Sequence, residues 1–547
     1  MKEVINSFLE RGYLLSPDFI QGLDEFSSEE QIIKHIDTKI TGDKPLVINK
    51  DLQRVLQKTN KIININWLEF EKSKALLEKG KNGKIYQTFL DILEYNPNEE
   101  KKEKINSLLG EIKEEERTIE LLPEENEQGS VIVIDEYKED EKKREMQDFV
   151  KYFKYRYNVL KEVLQERIEL RNPISINRIS NQNQGEPITL IGLIIDKRVT
   201  KNGNISLTLE DPTGSVNVLV NKGKTDIYNL AKNTVLDEVI GVNGSCGNNI
   251  IFANDILFPD VPLSKELKKA KDEVYAVFIS DLHVGSRMFL QEDFQNFLNW
   301  LNGEYGNHEQ KNISKKVKYL FIIGDLVDGI GIYPEQDKEL VIKDIKKQYE
   351  KCAEYLAQIR KDIKIVICSG NHDALRIAEP QPKLNTKFAE QIYNLKNATI
   401  VTNPAVVNIH SSQNFPGFDI LLYHGYSFDY YVSNVDTIRM NGGYDRADLI
   451  MKFLLQKRHL APTHGSTLYM PDTKKDALII NRVPDLFVTG HIHKANISHY
   501  KNITTICCSC WQSKTTFQEK VGHNPEPSRV PIVNLKTREA KMLKFGG

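Results

Sequence analysis

The stretch FISDLHVGSR, residues 278–287, determines how the second half of the 547-residue chain is interpreted. The apolar run VYAVFIS at 274–280 predicts a buried strand, and Asp281 and His283 follow it directly. Side chains two positions apart on a strand point to the same face, so both polar groups are expected on one side. Gly285 then allows the backbone to turn tightly. The sequence therefore predicts that this strand delivers two metal-binding side chains to one place.

From about residue 270 onwards, predicted strands alternate with predicted helices, which indicates an α/β domain. In one of these helices Tyr349, Cys352 and Leu356 recur at helical spacing and predict a buried face. In such domains the loops at the carboxyl ends of the strands gather the chemistry. Four later strands also end in polar residues, within GDLVDG, GNHD, HG and GHIH. The polar side chains at these ends are Asp325, Asp328, Asn371, His372, Asp373, His424, His491 and His493.

These side chains together indicate a metal centre. A lone histidine after a strand is more often a hydrogen-bonded core residue, but five strand ends of one chemical type favour metal binding over that alternative. Oxygen and nitrogen donors without a thiolate suit Mn²⁺, Fe²⁺ or Zn²⁺ at a catalytic site. The donors outnumber those that one ion uses, so two ions are expected, held about 3.5–4 Å apart with a bridging carboxylate. Such a pair activates water and binds the oxygens of a phosphate ester.

Length and composition restrict the class of protein further. A chain of 547 residues predicts two to four domains. Its six cysteines do not form a disulfide framework, and no apolar stretch approaches the roughly 20 residues that span a bilayer. The N-terminus lacks the features of a signal peptide, so we expect a cytoplasmic protein without a membrane segment. The formal charge of −2 gives no signal for nucleic acid by itself, although residues 99–127, with 11 acidic and 5 basic side chains, leave the remainder mildly basic.

Shifts in composition and periodicity predict four pieces. Residues 1–75 have helical apolar spacing and predict a small helical domain, and residues 76–147 are expected to form a charged flexible linker. The linker includes the short apolar run VIVI at 131–134, for which local helix is the alternative. Residues 148–265 predict an amphipathic helix followed by five short strands with a helical insert after the third. That order matches an OB-fold, with another small β-barrel or sandwich as the alternative. The fourth piece is the α/β domain at 270–547.

The motifs D-x-H, G-D-x-x-D, G-N-H-D, H-G and G-H-x-H between residues 278 and 494 resemble the motif set of the calcineurin-like metallophosphoesterases. With the three preceding pieces included, nearly the whole chain resembles the small-subunit family of archaeal family D DNA polymerases. The resemblance implies a multidomain α/β protein. In it, a C-terminal calcineurin-like phosphoesterase α/β sandwich follows an OB-fold β-barrel and a small N-terminal helical domain.

The resemblance also implies a ligand set for two ions, with Asp325 bridging them. The first ion would be held by Asp281, His283, Asp325 and His493. The second would be held by Asn371, His424 and His491 together with the bridge. His372 would be left free of metal to contact the scissile phosphate, Asp373 would orient His372, and Asp328 would support the ligands from behind.

The function implied by the resemblance is a 3′–5′ exonuclease that trims single-stranded or mismatched DNA ends during replication. Mn²⁺ is the expected working metal, with Mg²⁺, Fe²⁺ or Zn²⁺ as other divalent choices. The expected partners are a large catalytic polymerase subunit and, through the complex, a sliding clamp. One alternative is a catalytically inactive scaffold subunit, as in related eukaryotic accessory subunits that have lost the metal residues. Another is a self-standing repair nuclease or small-molecule phosphodiesterase, against which the order of the domains argues.

Overall fold

The computed structural model describes residues 143–546 apart from 171 and 473, residues 130–139, and separate positions or short runs between residues 8 and 90. The chain forms two units, Met1–Leu122 and Pro123–Gly547. Most of the helical domain predicted at 1–75, and most of the linker predicted at 76–147, lie outside the described residues. No helix in the described part of the chain is both long and apolar enough to cross a membrane.

In the first unit two short strands pair in parallel, and a helix follows the second of them. Strand β1 (Leu14–Leu15) pairs with β2 (Val47–Ile48), and helix α1 (Lys50–Lys58) follows at once. Asn49 precedes the helix, and its side-chain oxygen accepts a hydrogen bond from the Leu52 amide at 2.8 Å. This is the capping that helix N-termini require, because their first amides have no partner within the helix.

The apolar run VIVI does not lie in a linker, nor does it form a helix. Residues Val131–Glu136 form strand β3, which pairs antiparallel with a strand at Ala405–Ile409. Ile132 is buried, and Val131 and Val133 pack against a core between two sheets. Four consecutive β-branched residues favour an extended backbone, and they bury their apolar surface by adding a strand to the edge of a sheet.

A long helix and a closed five-stranded barrel come next. Helix α2 spans Met146–Gln165, and a short 3₁₀ helix spans Ile176–Asn181. The elements of the barrel are β4 (Pro187–Val199), β5 (Ile205–Asp211), β6 (Gly214–Val220), α3 (Thr225–Lys232), β7 (Val239–Cys246) and β8 (Ile250–Leu257). The strands pair in the closed order β4-β5-β6-β8-β7, and α3 lies between the third and fourth strands along the chain.

Together with β3, the remaining described residues form two six-stranded sheets and eight α-helices, so the expectation of a mixed α/β protein is confirmed. The strands are β9 (Tyr275–Ile279), β10 (Val317–Ile323), β11 (Lys364–Cys368), β12 (Ala398–Ile400), β13 (Ala405–Ile409), β14 (Phe418–Leu422), β15 (Leu486–Thr489), β16 (Asn496–Tyr500), β17 (Ile503–Cys507), β18 (Arg529–Asn534) and β19 (Ala540–Lys544). The helices are α4 (Gln291–Leu301), α5 (His308–Lys315), α6 (Ile345–Leu356), α7 (Thr386–Tyr393), α8 (Phe428–Asn434), α9 (Asp436–Arg439), α10 (Ala447–Lys457) and α11 (Thr516–Val521).

The two sheets pack face to face with helices outside them. The first has the order β12-β11-β10-β9-β18-β19, and the second has the order β16-β17-β15-β14-β13-β3. Phe278 and Phe321 stack at a centroid distance of 5.1 Å within the core between the sheets. On the opposite face of the first sheet, Ile279 packs with Phe294 of α4 and Tyr349 of α6. Strands buried on both faces explain why β9, β10 and β11 are continuous apolar runs.

Buried charges join α2 and the barrel to the α/β sandwich. The Arg156 guanidinium is fully buried and donates from Nε to Asp476 Oδ2 at 2.8 Å, while Tyr152 donates to Asp476 Oδ1 at 2.5 Å. A second buried pair joins Lys457 of α10 to Glu238 beside the barrel at 2.7 Å. Buried charges of this kind require a partner, because an unpaired charge in the interior is strongly unfavourable.

Candidate metal centre

The predicted polar residues meet where five strands end. Strands β9, β10 and β11 of the first sheet and β14 and β15 of the second point their carboxyl ends to one edge of the sandwich. Near this edge many of the residues adopt left-handed backbone conformations, which are uncommon for side chains other than glycine. Those with positive φ angles between 50° and 72° are Asp281, His283, Asp325, His491 and His493. Strained backbone of this kind concentrates at functional sites.

One group of donors forms around Asp281. His283 Nε2 and His493 Nε2 lie 3.0 Å apart, and His493 Nε2 lies 3.4 Å from Asp281 Oδ1. All three side chains are buried, and Asp281 Oδ1 accepts no hydrogen bond within the described residues. One donor atom from each of the three lies within 4.8 Å of the others. A buried carboxylate oxygen without a hydrogen bond, next to two converging imidazole nitrogens, is an arrangement that a cation would satisfy.

Asp325 links this group to further donors. Its Oδ2 lies 3.3 Å from His424 Nε2 and 4.0 Å from His283 Nε2. His424 Nε2 also lies 3.0 Å from Asn371 Oδ1. Asp325 therefore belongs both to a compact group with Asp281 and His424 and to another with His283 and His372. Asp325 lies between the donors around His283 and those around His424, which is the position a bridging carboxylate requires.

The second ring nitrogens of the histidines are held from outside the cluster. His424 Nδ1 contacts the Ile323 carbonyl oxygen at 2.7 Å, which requires a proton on Nδ1. His283 Nδ1 lies 3.2 Å from Asp328 Oδ1, so the Asp328 carboxylate faces the ring nitrogen of His283 that points away from the cluster. A contact of this type turns Nε2 towards the cluster, where it can bind a metal.

His491 lies beside the cluster, but its Nε2 points elsewhere. The ring centroid is 5.2 Å from that of His424, while Nε2 contacts Asp429 Oδ2 at 3.0 Å. Asp429 in turn accepts a hydrogen bond from Tyr444 at 2.8 Å. His491 is therefore outside the compact groups of donor atoms, and Nδ1 is the nitrogen it has left for a metal. Sequence reasoning did not identify Asp429, whose one signal is its position five residues after His424.

Asp373 does not orient His372, contrary to the expectation. Its carboxylate accepts hydrogen bonds from the amides of Asp325 at 3.0 Å and Gly370 at 2.9 Å, and from the Tyr349 hydroxyl at 3.0 Å. His372 Nδ1 contacts the Asp328 carbonyl oxygen instead, at 2.8 Å. Asp373 thus fixes the backbone that carries Asp325. Backbone amides that need an acceptor, rather than the neighbouring ring, determine where its side chain points.

Glycines allow the loops to approach one another closely. A Cβ atom at Gly370 would lie 2.2 Å from Asp325 Oδ1, which leaves no space for any other residue. Gly285 has φ of 108°, so the tight turn expected after His283 is confirmed. The glycines next to the motif residues are therefore a requirement of the packed loops.

A pair of buried amides, Gln381 and Asn403, was also missed by sequence reasoning. Asn403 Oδ1 accepts a hydrogen bond from the His424 amide at 2.8 Å, and Asn403 Nδ2 donates to Gln381 Oε1 at 2.7 Å. Gln381 Nε2 donates to the Gly370 carbonyl oxygen at 3.3 Å, directly before Asn371. The pair connects the loops of two predicted ligands, and no motif marks it.

The electrostatics of the cluster favour positive charge. Burial alone would lower the pKa of His424, but the Asp325 carboxylate raises it to about 10. Burial alone would raise the pKa of Asp325, but His424 and other histidines hold it well below its usual range. At His372 burial has the larger effect and lowers the pKa. Two buried carboxylates with nitrogen and oxygen donors around them fit divalent metal ions.

Comparison with known proteins agrees with this geometry. The model of the calcineurin-like phosphoesterase family matches residues 275–495. The DNA polymerase II small subunit of Methanothermobacter thermautotrophicus is 39% identical over 402 residues, which cover 73% of this chain and 80% of that relative. The corresponding subunit of Halobacterium salinarum is 38% identical and covers 73% and 75%. That of Pyrococcus abyssi is 40% identical and covers 73% of this chain but 63% of the relative.

The motif residues converge at one edge of an α/β sandwich, and the similarity to the relatives extends well beyond the phosphoesterase domain. The chain therefore belongs to the family of the DNA polymerase II small subunits.

Proposed function

We propose that this chain is a metal-dependent 3′–5′ exonuclease that removes nucleotides from single-stranded or mismatched DNA ends. One observation carries the proposal: oxygen and nitrogen donors from five strand ends converge within the phosphoesterase domain of a polymerase subunit. His283 Nε2 and His493 Nε2 face each other at 3.0 Å, and Asp325 reaches both ends of the group. Strained, buried donors of this kind favour an active site over an inactive scaffold.

We propose one ion at the group of donors around Asp281 and a second ion at the group around His424. We assign the first ion to Asp281, His283, Asp325 and His493. We assign the second to Asn371, His424, His491 and the bridging Asp325. Bound divalent ions, Mn²⁺ foremost and Mg²⁺, Fe²⁺ or Zn²⁺ as alternatives, would activate a water molecule and polarise the phosphate oxygens.

The side chains of the chain itself would bind and orient the substrate. The cluster has a buried side and a partly exposed side. The buried side chains are Asp281, His283 and His424, and the partly exposed ones are Asn371, His372 and His491. We propose that the substrate enters from the partly exposed side. His372 is held through Nδ1 by the Asp328 carbonyl oxygen, and its ring is 4.6 Å from that of His283. We propose that its Nε2 contacts the scissile phosphate and that Asp373 keeps Asp325 in place.

The rest of the chain is proposed to connect this site to a polymerase. A closed five-stranded barrel with a helix between its third and fourth strands supports an OB-fold. We further propose a small helical domain at 1–75, a charged linker over most of 76–147, and the phosphoesterase domain at 270–547. Because the relatives are named as small subunits, we propose a large catalytic subunit as the partner, and a sliding clamp reached through the complex.

The test is nuclease activity on DNA labelled at the 5′ end, with single-stranded and 3′-mismatched substrates in Mn²⁺ or Mg²⁺. The full chain is assayed alone and assembled with the large subunit, and His372→Ala is compared with His308→Ala, an exposed histidine of α5. We expect metal-dependent shortening from the 3′ end that His372→Ala abolishes and His308→Ala retains. Assembly without cleavage by the wild-type complex would overturn the proposal in favour of a scaffold.

A further inference from the structure

Two aromatic side chains lie beside the candidate metal centre with one of their rings open to solvent. Tyr333 follows β10, and its ring stacks on Phe517 of α11 with centroids 5.3 Å apart and planes 25° apart. The other neighbour of Tyr333 is His372, at a centroid distance of 6.4 Å. Phe517 is 44% exposed. A single exposed apolar side chain is common on protein surfaces, but a group of them beside a site marks a candidate binding surface.

Polar contacts fix both rings relative to the metal centre. Glu339 accepts hydrogen bonds from the Tyr333 hydroxyl at 2.9 Å and from the Thr516 amide at 3.3 Å, so one carboxylate joins the loop to helix α11. Gln518, next to Phe517, contacts His493 Nδ1 at 2.9 Å through its amide nitrogen. Phe517 and Tyr333 are thus anchored to the two sides of the site, at His493 and near His372.

The loop that carries Tyr333 has further exposed apolar side chains. Ile330 is 47% exposed and Val341 is 67% exposed. The Val341 amide donates to the Gly285 carbonyl oxygen at 2.8 Å, which attaches this part of the loop to the turn after His283. An apolar rim on this side of the entrance suits a flat apolar group of the substrate rather than its charged phosphate.

We propose that Tyr333 and Phe517 form a stacking platform for the base of the nucleotide being removed. This inference rests on the proposed function, in which His372 contacts the scissile phosphate. The base attached to that nucleotide must lie within one nucleotide's length of His372, and Phe517 presents the open ring there. Stacking on an aromatic ring accepts every base, because each base has a π-face. The platform therefore favours DNA ends whose terminal base is unpaired, because a paired base has to leave its duplex before it can stack. It does not distinguish one base from another.

The experiment compares oligonucleotides that end in a 3′ thymidine with oligonucleotides that end in a 3′ abasic residue. The full chain, assembled with its large subunit in Mn²⁺, is assayed for kcat/KM on both. We expect wild type to prefer the thymidine end by about tenfold, the size of one base-stacking contact. Phe517→Ala is expected to reduce this ratio to near one, and Phe517→Trp is expected to restore it. Phe388→Ala, which removes an exposed ring from α7, serves as the matched control and should keep the wild-type ratio.

The outcomes separate this inference from the proposed function. Cleavage of both substrates with the same ratio in wild type and Phe517→Ala would overturn the platform and leave the exonuclease intact. An equal loss on both substrates in Phe517→Ala would also overturn it, because damage to the metal centre through Gln518 does not depend on the base. No cleavage by wild type would overturn the exonuclease and, with it, this inference.

Discussion

Gln381 and Asn403 are joined by two backbone hydrogen bonds and one between their side chains. The backbone N–H of Gln381 donates to the backbone carbonyl oxygen of Asn403 at 2.7 Å, and the backbone N–H of Asn403 donates to that of Gln381 at 3.1 Å. Between the side chains, Asn403 Nδ2 donates to Gln381 Oε1 at 2.7 Å. Because Asn403 also binds the His424 amide and Gln381 the Gly370 carbonyl, the pair sets the separation between His424 and Asn371. Neither residue is among the predicted ligands, so we expect their effect on the site to be one of position.

Asn403→Ala is therefore expected to weaken metal binding by about 10- to 100-fold, the usual cost of losing a group that supports a ligand. Mn²⁺ affinity is measured by calorimetry, and nuclease activity is measured as a function of Mn²⁺ concentration. The matched control is Asn408→Ala, another buried asparagine, which binds Asp419 and the Pro416 carbonyl within the second sheet. Both variants lower stability. An equal loss of Mn²⁺ affinity in the two would contradict the positioning role.

Asp325→Asn is expected to remove both ions, whereas His491→Ala is expected to remove one. Asp325 is the donor shared by two compact groups, while His491 lies outside these groups, with its ring next to that of His424. The number of bound ions per chain is measured by elemental analysis after equilibration with Mn²⁺. Retention of one ion in Asp325→Asn would mean that the carboxylate belongs to a single site and does not bridge.

Arg156→Met is expected to lower the free energy of unfolding by about 3–5 kcal/mol. The substitution leaves Asp476 buried without its cation, and breaking one partner of a buried pair has a cost of this size. Lys351→Ala, which breaks an exposed pair with Glu354, is the control, and its cost should stay below about 1 kcal/mol. Chemical denaturation measures both. A change below 1 kcal/mol in Arg156→Met would show that the guanidinium does not hold α2 against the sandwich.

We expect the buried His459 to lower the free energy of unfolding in mild acid. Burial, and then the nearby Arg156 guanidinium, lower the pKa of His459 to about 4, against a usual value of about 6.5. Its Nδ1 accepts a hydrogen bond from the Ala461 amide and its Nε2 donates to Asp476, so the folded protein has no place for a second proton. As the pH falls, His459 therefore takes up that proton in the unfolded chain at a higher pH than in the folded protein. The contribution to stability is therefore complete above the usual pKa and decreases as pH falls towards 4.

The measurement is the free energy of unfolding at about pH 7.5 and about pH 5.5. Wild type should lose about 1 kcal/mol more between these values than His459→Gln, which does not titrate. His308→Gln replaces an exposed histidine and should keep the wild-type dependence. Equal pH dependence in wild type and His459→Gln would contradict the lowered pKa.

The sequence predicts the candidate donors because each lies within a few residues of a strand end, and a strand end is a local pattern. The buried face of α6 is predictable for the same reason, and Tyr349, Cys352 and Leu356 are all buried there. The direction in which a side chain points is not local. Asp373 stands next to His372 in the chain but turns to the amides of Asp325 and Gly370.

Gln381, Asn403 and Asp429 escaped prediction because they act on the site through contacts between segments distant in the sequence. Asn403 reaches His424 across 21 residues, and Asp429 reaches His491 across 62. The strand at Val131–Glu136 is the extreme case. The residue after it, Tyr137, donates its amide to Thr402 across 265 positions, and a run of four apolar residues among charges contains no signal for such a partner.

Strand β3 has a consequence for any shortened form of the protein. It covers the outer edge of β13, where Val131 pairs with Ile409 and Glu136 with Ala405. A chain cut to begin at 148 would keep every candidate metal ligand but expose the unpaired amides and carbonyls of β13, which are a template for association between molecules. A chain cut to begin near 128 would keep β3 as the edge strand, and the acidic residues Asp135 and Glu136 of β3 disfavour such pairing. Residues 1–127 can then be removed without leaving β13 as the open edge of the second sheet.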